Sequence, residues 1–248
     1  MMSMRIYWAM ILVLAVAAAA LVFLLQEGAW QPPAGELPAP RPVLALLNFT
    51  VMLVVYGGLG FIGLRLSPSI GFAGIWDERV PRRLRFAIPA LAGMALGVLF
   101  ILADVIFSRL HALGPLPHPP FPASLIASIT AGIGEEVSFR LFFVVFWVWL
   151  LSHVVLRKRR LNAVFGAVTA VSALVFTAGH VPAVMYSFGL EQVRDMPLAL
   201  AAELLVLNGS LSVVAALFMR RWGILAAVGV HFWTDVVWHV LWGSSGMA

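Results

Sequence analysis

Two adjacent glutamates, Glu135 and Glu136, and an arginine, Arg140, lie within a run of residues that is otherwise almost entirely apolar. On a helix, side chains four residues apart share a face, so Glu136 and Arg140 can form an ion pair that offsets the cost of burying each charge. Glu135 points about 100° away from Glu136 and has no partner on its own helix. A desolvated carboxylate without a partner is a candidate general base.

Two later apolar runs carry histidines with neighbours at helical spacing. His180 ends the segment FTAGH, with Phe176 one turn before it, and His231 and Asp235 enclose HFWTD, also one turn apart. A glutamate beside a histidine can activate water, and a second histidine can donate a hydrogen bond to an oxyanion. Two histidines and a carboxylate, here His180, His231 and Glu135, can alternatively bind Zn²⁺. A metal-free hydrolytic site and a zinc site are therefore both open at this point.

The remaining polar and aromatic residues of the apolar runs have simpler interpretations. Asp104 and His153 lie toward the ends of their runs, where they are expected to reach the membrane interface. Glu203 is expected to make a hydrogen bond between packed helices. Trp238 and Trp242 are typical of the aromatic belt at a membrane interface.

The composition indicates a membrane protein. The 248 residues are 62% hydrophobic and only 11% charged, whereas a soluble domain is about 45–50% apolar and about 25% charged. The net charge of +5 does not indicate a nucleic-acid partner, because the arginines cluster between apolar runs, as membrane topology requires. The chain has no cysteine, which excludes disulfides and thiolate metal sites.

Seven apolar runs are long enough to cross a bilayer, which takes roughly 20 residues. They cover about residues 5–25, 43–64, 86–107, 122–156, 162–185, 197–219 and 222–243. We therefore expect an all-α, polytopic transmembrane bundle of seven to eight spans, forming one membrane domain over residues 1–248. The fourth run is too long for one perpendicular crossing, so it must tilt, protrude or break, and Gly132 and Gly134 are the weakest points. A break there would give the eighth span.

The loops predict the orientation. Those after the second, fourth and sixth spans are rich in arginine, with RKRR at 157–160, and should be cytoplasmic. The N-terminus is then cytoplasmic. The opposite loops are poor in charge and mostly rich in proline, at 31–42, 114–122 and 188–197. A cleaved signal peptide is an alternative for the first run, but that run is longer than a signal peptide requires.

The three motifs resemble those of a known family. EEVSFR fits Glu-Glu-x-x-x-Arg, FTAGH fits Phe-x-x-x-His, and HFWTD fits His-x-x-x-Asn/Asp. In this order, on successive late spans, they resemble the CAAX-processing and bacteriocin-processing (CPBP, or abortive-infection) intramembrane proteases, which include the Ras-converting prenyl endopeptidases. The resemblance covers residues 122–243, while the three spans within residues 1–110 carry no motif that matches.

The resemblance implies catalytic roles for Glu135, His180, His231 and Asp235, and supporting roles for Glu136 and Arg140. Glu135 would activate water with His180 as its partner, and His231 and Asp235 would stabilise the oxyanion. An ionised aspartate cannot donate a hydrogen bond, so Asp235 would either orient His231 or be protonated. A glutamate-type mechanism without a cofactor is favoured, with Zn²⁺ held by His180, His231 and Glu135 as the alternative.

The resemblance also implies a substrate and a location. The expected activity is cleavage of a peptide bond near the C-terminus of a membrane-anchored protein, either at a CAAX-like end or at a C-terminal sorting segment of the kind that myxosortase-type enzymes remove. The expected location is the bacterial inner membrane, with the lipid bilayer and the substrate as partners and no nucleic acid. A non-catalytic immunity or scaffold protein and a proton-coupled transporter are the alternatives, although the inverted repeats common in transporters are not evident.

Overall fold

The structure, a computed structural model, describes residues 2–24 and 37–245. Within these residues it contains seven helices that are long and apolar enough to cross a membrane, and no strand, which confirms the all-α bundle. The helices are α1 (Ser3–Leu24), α2 (Arg41–Ile70), α3 (Arg83–Phe107), α4 (Ala123–Val155), α5 (Leu161–Phe188), α6 (Leu198–Trp222) and α7 (Ile224–Trp242). Half of the first proline-rich loop, residues 31–36 of 31–42, lies outside the described residues.

Proline and glycine mark several helix boundaries. Pro40 and Pro197 precede the first residues of α2 and α6, where a missing N–H costs no helical hydrogen bond. Gly189 follows α5 with a φ of 64°, the left-handed conformation that ends many helices. Gly223 joins α6 to α7 at a φ of 85°, and a Cβ there would lie 2.6 Å from the carbonyl oxygen of Gly74. This tight turn sets α6 and α7 side by side.

The longest helix, α4, runs for 33 residues without a break. The alternative of an eighth span is therefore not realised, because Gly132 serves packing: a Cβ at Gly132 would lie 3.2 Å from the backbone nitrogen of Phe232 on α7. The helical geometry changes one residue after Glu135, where the turns widen to π-helical over Glu136–Val144. Such segments often occur at functional sites.

Helix α7 lies inside the bundle, in contact with α3, α4 and α6. It approaches α3 closely because Gly93 has no side chain, and a Cβ there would lie 2.3 Å from the carbonyl oxygen of Val230. The Thr234 hydroxyl is 3.1 Å from the carbonyl oxygen of Gly93. Small residues at helix contacts allow this close packing in membranes. The helix that carries His231 and Asp235 is thus held on several sides.

The arginine-rich connections meet at one end of the bundle. The loop between α2 and α3 contacts the α6–α7 turn through Gly74 and Gly223, and Arg220 on α6 donates a hydrogen bond to Asn162 at the start of α5. Because successive helices cross the bundle in opposite directions, these connections lie at the same end, as the charge pattern requires. The assignment of this end to the cytoplasm stays a prediction from the positive-inside rule.

Candidate active site

Three helices bring the four predicted catalytic side chains together. The Glu135 Oε2 atom on α4 lies 3.9 Å from His180 Nε2 on α5 and 3.7 Å from His231 Nε2 on α7. One turn along α7, Asp235 Oδ2 lies 3.5 Å from the same His231 nitrogen. Residues widely separated in the chain therefore form one polar cluster inside the bundle.

His231 is held by the second glutamate of the pair. Its Nδ1 lies 2.8 Å from Glu136 Oε1, and both side chains are buried. The other oxygen of this carboxylate, Oε2, lies 3.3 Å from Arg140 Nε. The predicted pairing of Glu136 with Arg140 is therefore present, but Glu136 also connects Arg140 to His231. The sequence pattern did not indicate this second contact, because helical spacing reports only neighbours on the same helix.

Phe176 connects the arginine to His180. The Arg140 guanidinium carbon lies 4.4 Å from the centre of the Phe176 ring, a cation–π contact. The carbonyl oxygen of Phe176 accepts a hydrogen bond from His180 Nδ1 at 2.8 Å. Because Nδ1 carries this proton, the Nε2 atom of neutral His180 faces Glu135 with its lone pair.

The cluster lines a cavity of about 270 Å³. The cavity walls from α3 and α6 are mainly apolar and include Phe100, Leu204, Leu207, Asn208 and Leu211. Hydropathy could not identify these residues, since apolar side chains that line a cavity and those that face lipid look alike in the sequence. The cavity is thus lined mainly by apolar side chains, with Glu135, His180 and His231 contributing polar groups to its wall.

A pair of histidines lies beside the cavity, and one of them, His239, lines it. His118, in the loop before α4, and His239 on α7 are joined through their Nδ1 atoms at 3.0 Å. Burial lowers the pKa of His118 to about 4, so this ring is neutral at pH 7 and one imidazole donates to the other. Trp238 is only 4% exposed and packs on Phe100 and His118. The interfacial-belt prediction is therefore wrong for Trp238, which faces the bundle interior.

Asp104 was expected to reach the membrane interface, but its side chain is fully buried inside the bundle. Its Oδ1 accepts a hydrogen bond from the backbone N–H of Leu116 at 3.0 Å. Glu203 was expected to make a hydrogen bond between packed helices. Its Oε2 atom lies 3.5 Å from Nε2 of His111, which is in the loop between α3 and α4, as is Leu116. Both acids attach the loop between α3 and α4, whose residues Leu116 and Pro117 line the cavity.

The three residues named for zinc, His180, His231 and Glu135, lie together in this cluster. The two histidine-to-Glu135 separations, 3.7 and 3.9 Å, exceed the ~3.4 Å between ligands of a tetrahedral zinc ion. Across residues 2–24 and 37–245, no group of three or more His, Cys, Asp or Glu side chains is arranged to hold a metal ion.

Comparison with known proteins finds one similarity, in the second half of the chain. The model of the Rce1-like family, described as type II CAAX prenyl endopeptidase Rce1-like, matches residues 117–237. No curated protein and no solved structure shows significant similarity to the chain. The matched segment contains all four residues of the polar cluster, as well as Glu136 and Arg140, while α1, α2 and α3 lie outside it.

Proposed function

Because residues 117–237 match the model of the Rce1-like family, we propose that this integral, multi-pass membrane protein is an intramembrane endopeptidase that cleaves near the C-terminus of a membrane-anchored protein. The family is one of proteases, and the observation that carries the proposal is the position of Glu135 near both His180 and His231 in the wall of a cavity. We further propose that the protein resides in the bacterial inner membrane, with its N-terminus in the cytoplasm.

Glu135 activates the attacking water in this proposal. The 3.9 Å from Glu135 Oε2 to His180 Nε2 is too long for a direct hydrogen bond and suits a bridging water. The Nε2 lone pair of His180 accepts one hydrogen of this water, which orients it. Glu135 takes the other proton as the water oxygen bonds to the carbonyl carbon of the substrate.

His231 stabilises the oxyanion that forms. Its Nδ1–H donates to Glu136, its Nε2 lies near the carboxylates of Glu135 and Asp235, and in this mechanism both ring nitrogens carry a proton. The imidazolium N–H then donates to the oxyanion. Collapse of the tetrahedral intermediate breaks the C–N bond, and the proton held by Glu135 passes to the leaving amine.

The test is a search for uncleaved substrate in the native host. Cells that lack the protein should accumulate at least one membrane-anchored protein with an unprocessed C-terminus, as detected by C-terminal proteomics of the membranes. Reintroducing the wild-type chain should restore cleavage, and reintroducing Glu135→Gln should not. Full restoration by Glu135→Gln would indicate a non-catalytic role, and unchanged C-termini throughout would reject the endopeptidase.

Asp235 is expected to act by orienting His231. Asp235→Asn keeps an oxygen that can face His231 Nε2 and should retain cleavage within about tenfold, whereas Asp235→Leu should lose about 10²-fold in kcat. The measurement is kcat for cleavage of the accumulated protein by each purified variant. Equal activity of the Leu and Asn variants would show that Asp235 plays no part in positioning His231.

Removal of divalent metals should not affect the rate. The purified enzyme, treated with 1,10-phenanthroline and then freed of the chelator, should cleave at its original rate, because Glu135 and the two histidines carry the proton transfers. A loss of activity that added Zn²⁺ restores would instead assign His180, His231 and Glu135 as ligands.

A further inference from the structure

A second cavity lies on the other side of Glu135. It has a volume of about 210 Å³ and is bounded by α1, α2 and α4. Glu135 and Ala131 line both this cavity and the larger one between α3 and α7. The carboxylate assigned to water activation therefore stands where two separate cavities meet.

One hydroxyl in this second cavity is free to bind a ligand. Leu21 and Met52 make part of the wall apolar, and Thr130 and Tyr56 add hydroxyls. The Thr130 hydroxyl already donates to the carbonyl oxygen of Ile126 at 2.9 Å. Among the described residues Tyr56 makes no hydrogen bond through its hydroxyl, so this O–H is the donor that a ligand can use.

Tyr56 lies beside the catalytic glutamate. A Cβ on Gly134 would be 3.6 Å from Tyr56 Cε1, so α2 passes α4 one residue before Glu135. Tyr56 and Glu135 both line this second cavity. A group held by Tyr56 would therefore be adjacent to the site of water activation.

A peptide bond positioned at Glu135 has one substrate residue on each side, and successive side chains of an extended peptide point in opposite directions. The two cavities therefore offer one binding site for each of the two side chains that flank the scissile bond. Peptide carbonyls that enter an apolar cavity need a hydrogen-bond donor to replace water, and Tyr56 supplies one.

We propose that the cavity between α1, α2 and α4 is a substrate subsite that binds an apolar side chain on one side of the scissile bond, with the Tyr56 hydroxyl donating to the neighbouring peptide carbonyl. The inference rests on the proposed endopeptidase activity. Because α1 and α2 lie outside the Rce1-like segment, substrate selection at this subsite is a property of the unmatched half of the chain.

A reversible block of the cavity tests this assignment. The chain has no cysteine, so Met52→Cys provides a single thiol within the cavity wall. Benzyl methanethiosulfonate should lower kcat/KM about tenfold or more by filling the subsite, methyl methanethiosulfonate should lower it less, and reductant should restore it. The matched control is Val54→Cys, two residues along α2 at a position 63% exposed, where neither reagent should have an effect.

The hydroxyl is tested separately. Tyr56→Phe should raise KM several-fold with little change in kcat, and the cleaved sequences should change on one side of the scissile bond only. The substrate is a quenched-fluorescent peptide with the C-terminal segment of the protein that accumulates uncleaved. If benzylated Met52→Cys and Tyr56→Phe behave as wild type while Glu135→Gln is inactive, the subsite is wrong and the endopeptidase stands. An active Glu135→Gln rejects the endopeptidase itself.

Discussion

Glu135→Gln should lower kcat/KM by about 10³- to 10⁴-fold, the range that a positioned general base supplies. The amide keeps the size of the side chain but cannot accept the proton from water. The two histidines would remain in place, because His180 is held by Phe176 and His231 by Glu136. The measurement is steady-state cleavage of the substrate peptide by the purified variant in detergent or nanodiscs.

The stability of the same variant separates chemistry from folding. Glu135 is 31% exposed, and His231 still has the carboxylates of Glu136 and Asp235 beside it when the charge of Glu135 is removed. The melting temperature should therefore be that of the wild type. Glu191→Gln, in the exposed loop after α5, is the matched control and should change neither quantity. An inactive variant that is also unfolded would assign Glu135 to the fold instead.

Arg140→Leu, unlike Glu135→Gln, should destabilise the protein, with a loss of about 3–5 kcal/mol in the free energy of unfolding. Arg140 and Glu136 are both completely buried and 3.3 Å apart. Removing the guanidinium leaves a buried carboxylate without its ion-pair partner, and it also removes the contact with Phe176. Unfolding by SDS in mixed micelles measures the difference.

Two further variants distinguish the lost ion pair from a general effect of the substitution. Arg65→Leu, at an exposed position of α2, should be close to the wild type. Glu136→Gln combined with Arg140→Leu should be more stable than Arg140→Leu alone, since no charge is then left unpaired. If Arg140→Leu were as stable as the wild type, the Glu136–Arg140 pair would contribute nothing to folding.

Hydropathy and motif spacing predicted much of this molecule. The length of the apolar runs is sufficient to predict seven spans, because the thickness of the bilayer sets helix length. Helical spacing also predicted the Glu136–Arg140 pair and the placement of His231 and Asp235 on one face. These features depend only on the chain near each residue.

Contacts between helices were not predictable in the same way. The hydrogen bond between Glu136 and His231, the hydrogen bond from Leu116 to Asp104, and the inward position of Trp238 all depend on which helices and loops are neighbours. Periodicity reports which face a residue occupies, but not what lies opposite. Asp104 and Trp238, which lie near the ends of their spans, were therefore assigned to the membrane interface, although both face the interior of the bundle.

The two oxygens of Glu136 contact different partners: Oε2 forms the ion pair with Arg140, and Oε1 accepts the hydrogen bond that orients His231. We therefore expect any substitution of Glu136 to change thermal stability and kcat together, so neither can be improved at this position without affecting the other. Efforts to engineer a more durable variant should leave this carboxylate untouched and begin on lipid-facing positions such as Leu46 or Leu91, which are well exposed on α2 and α3.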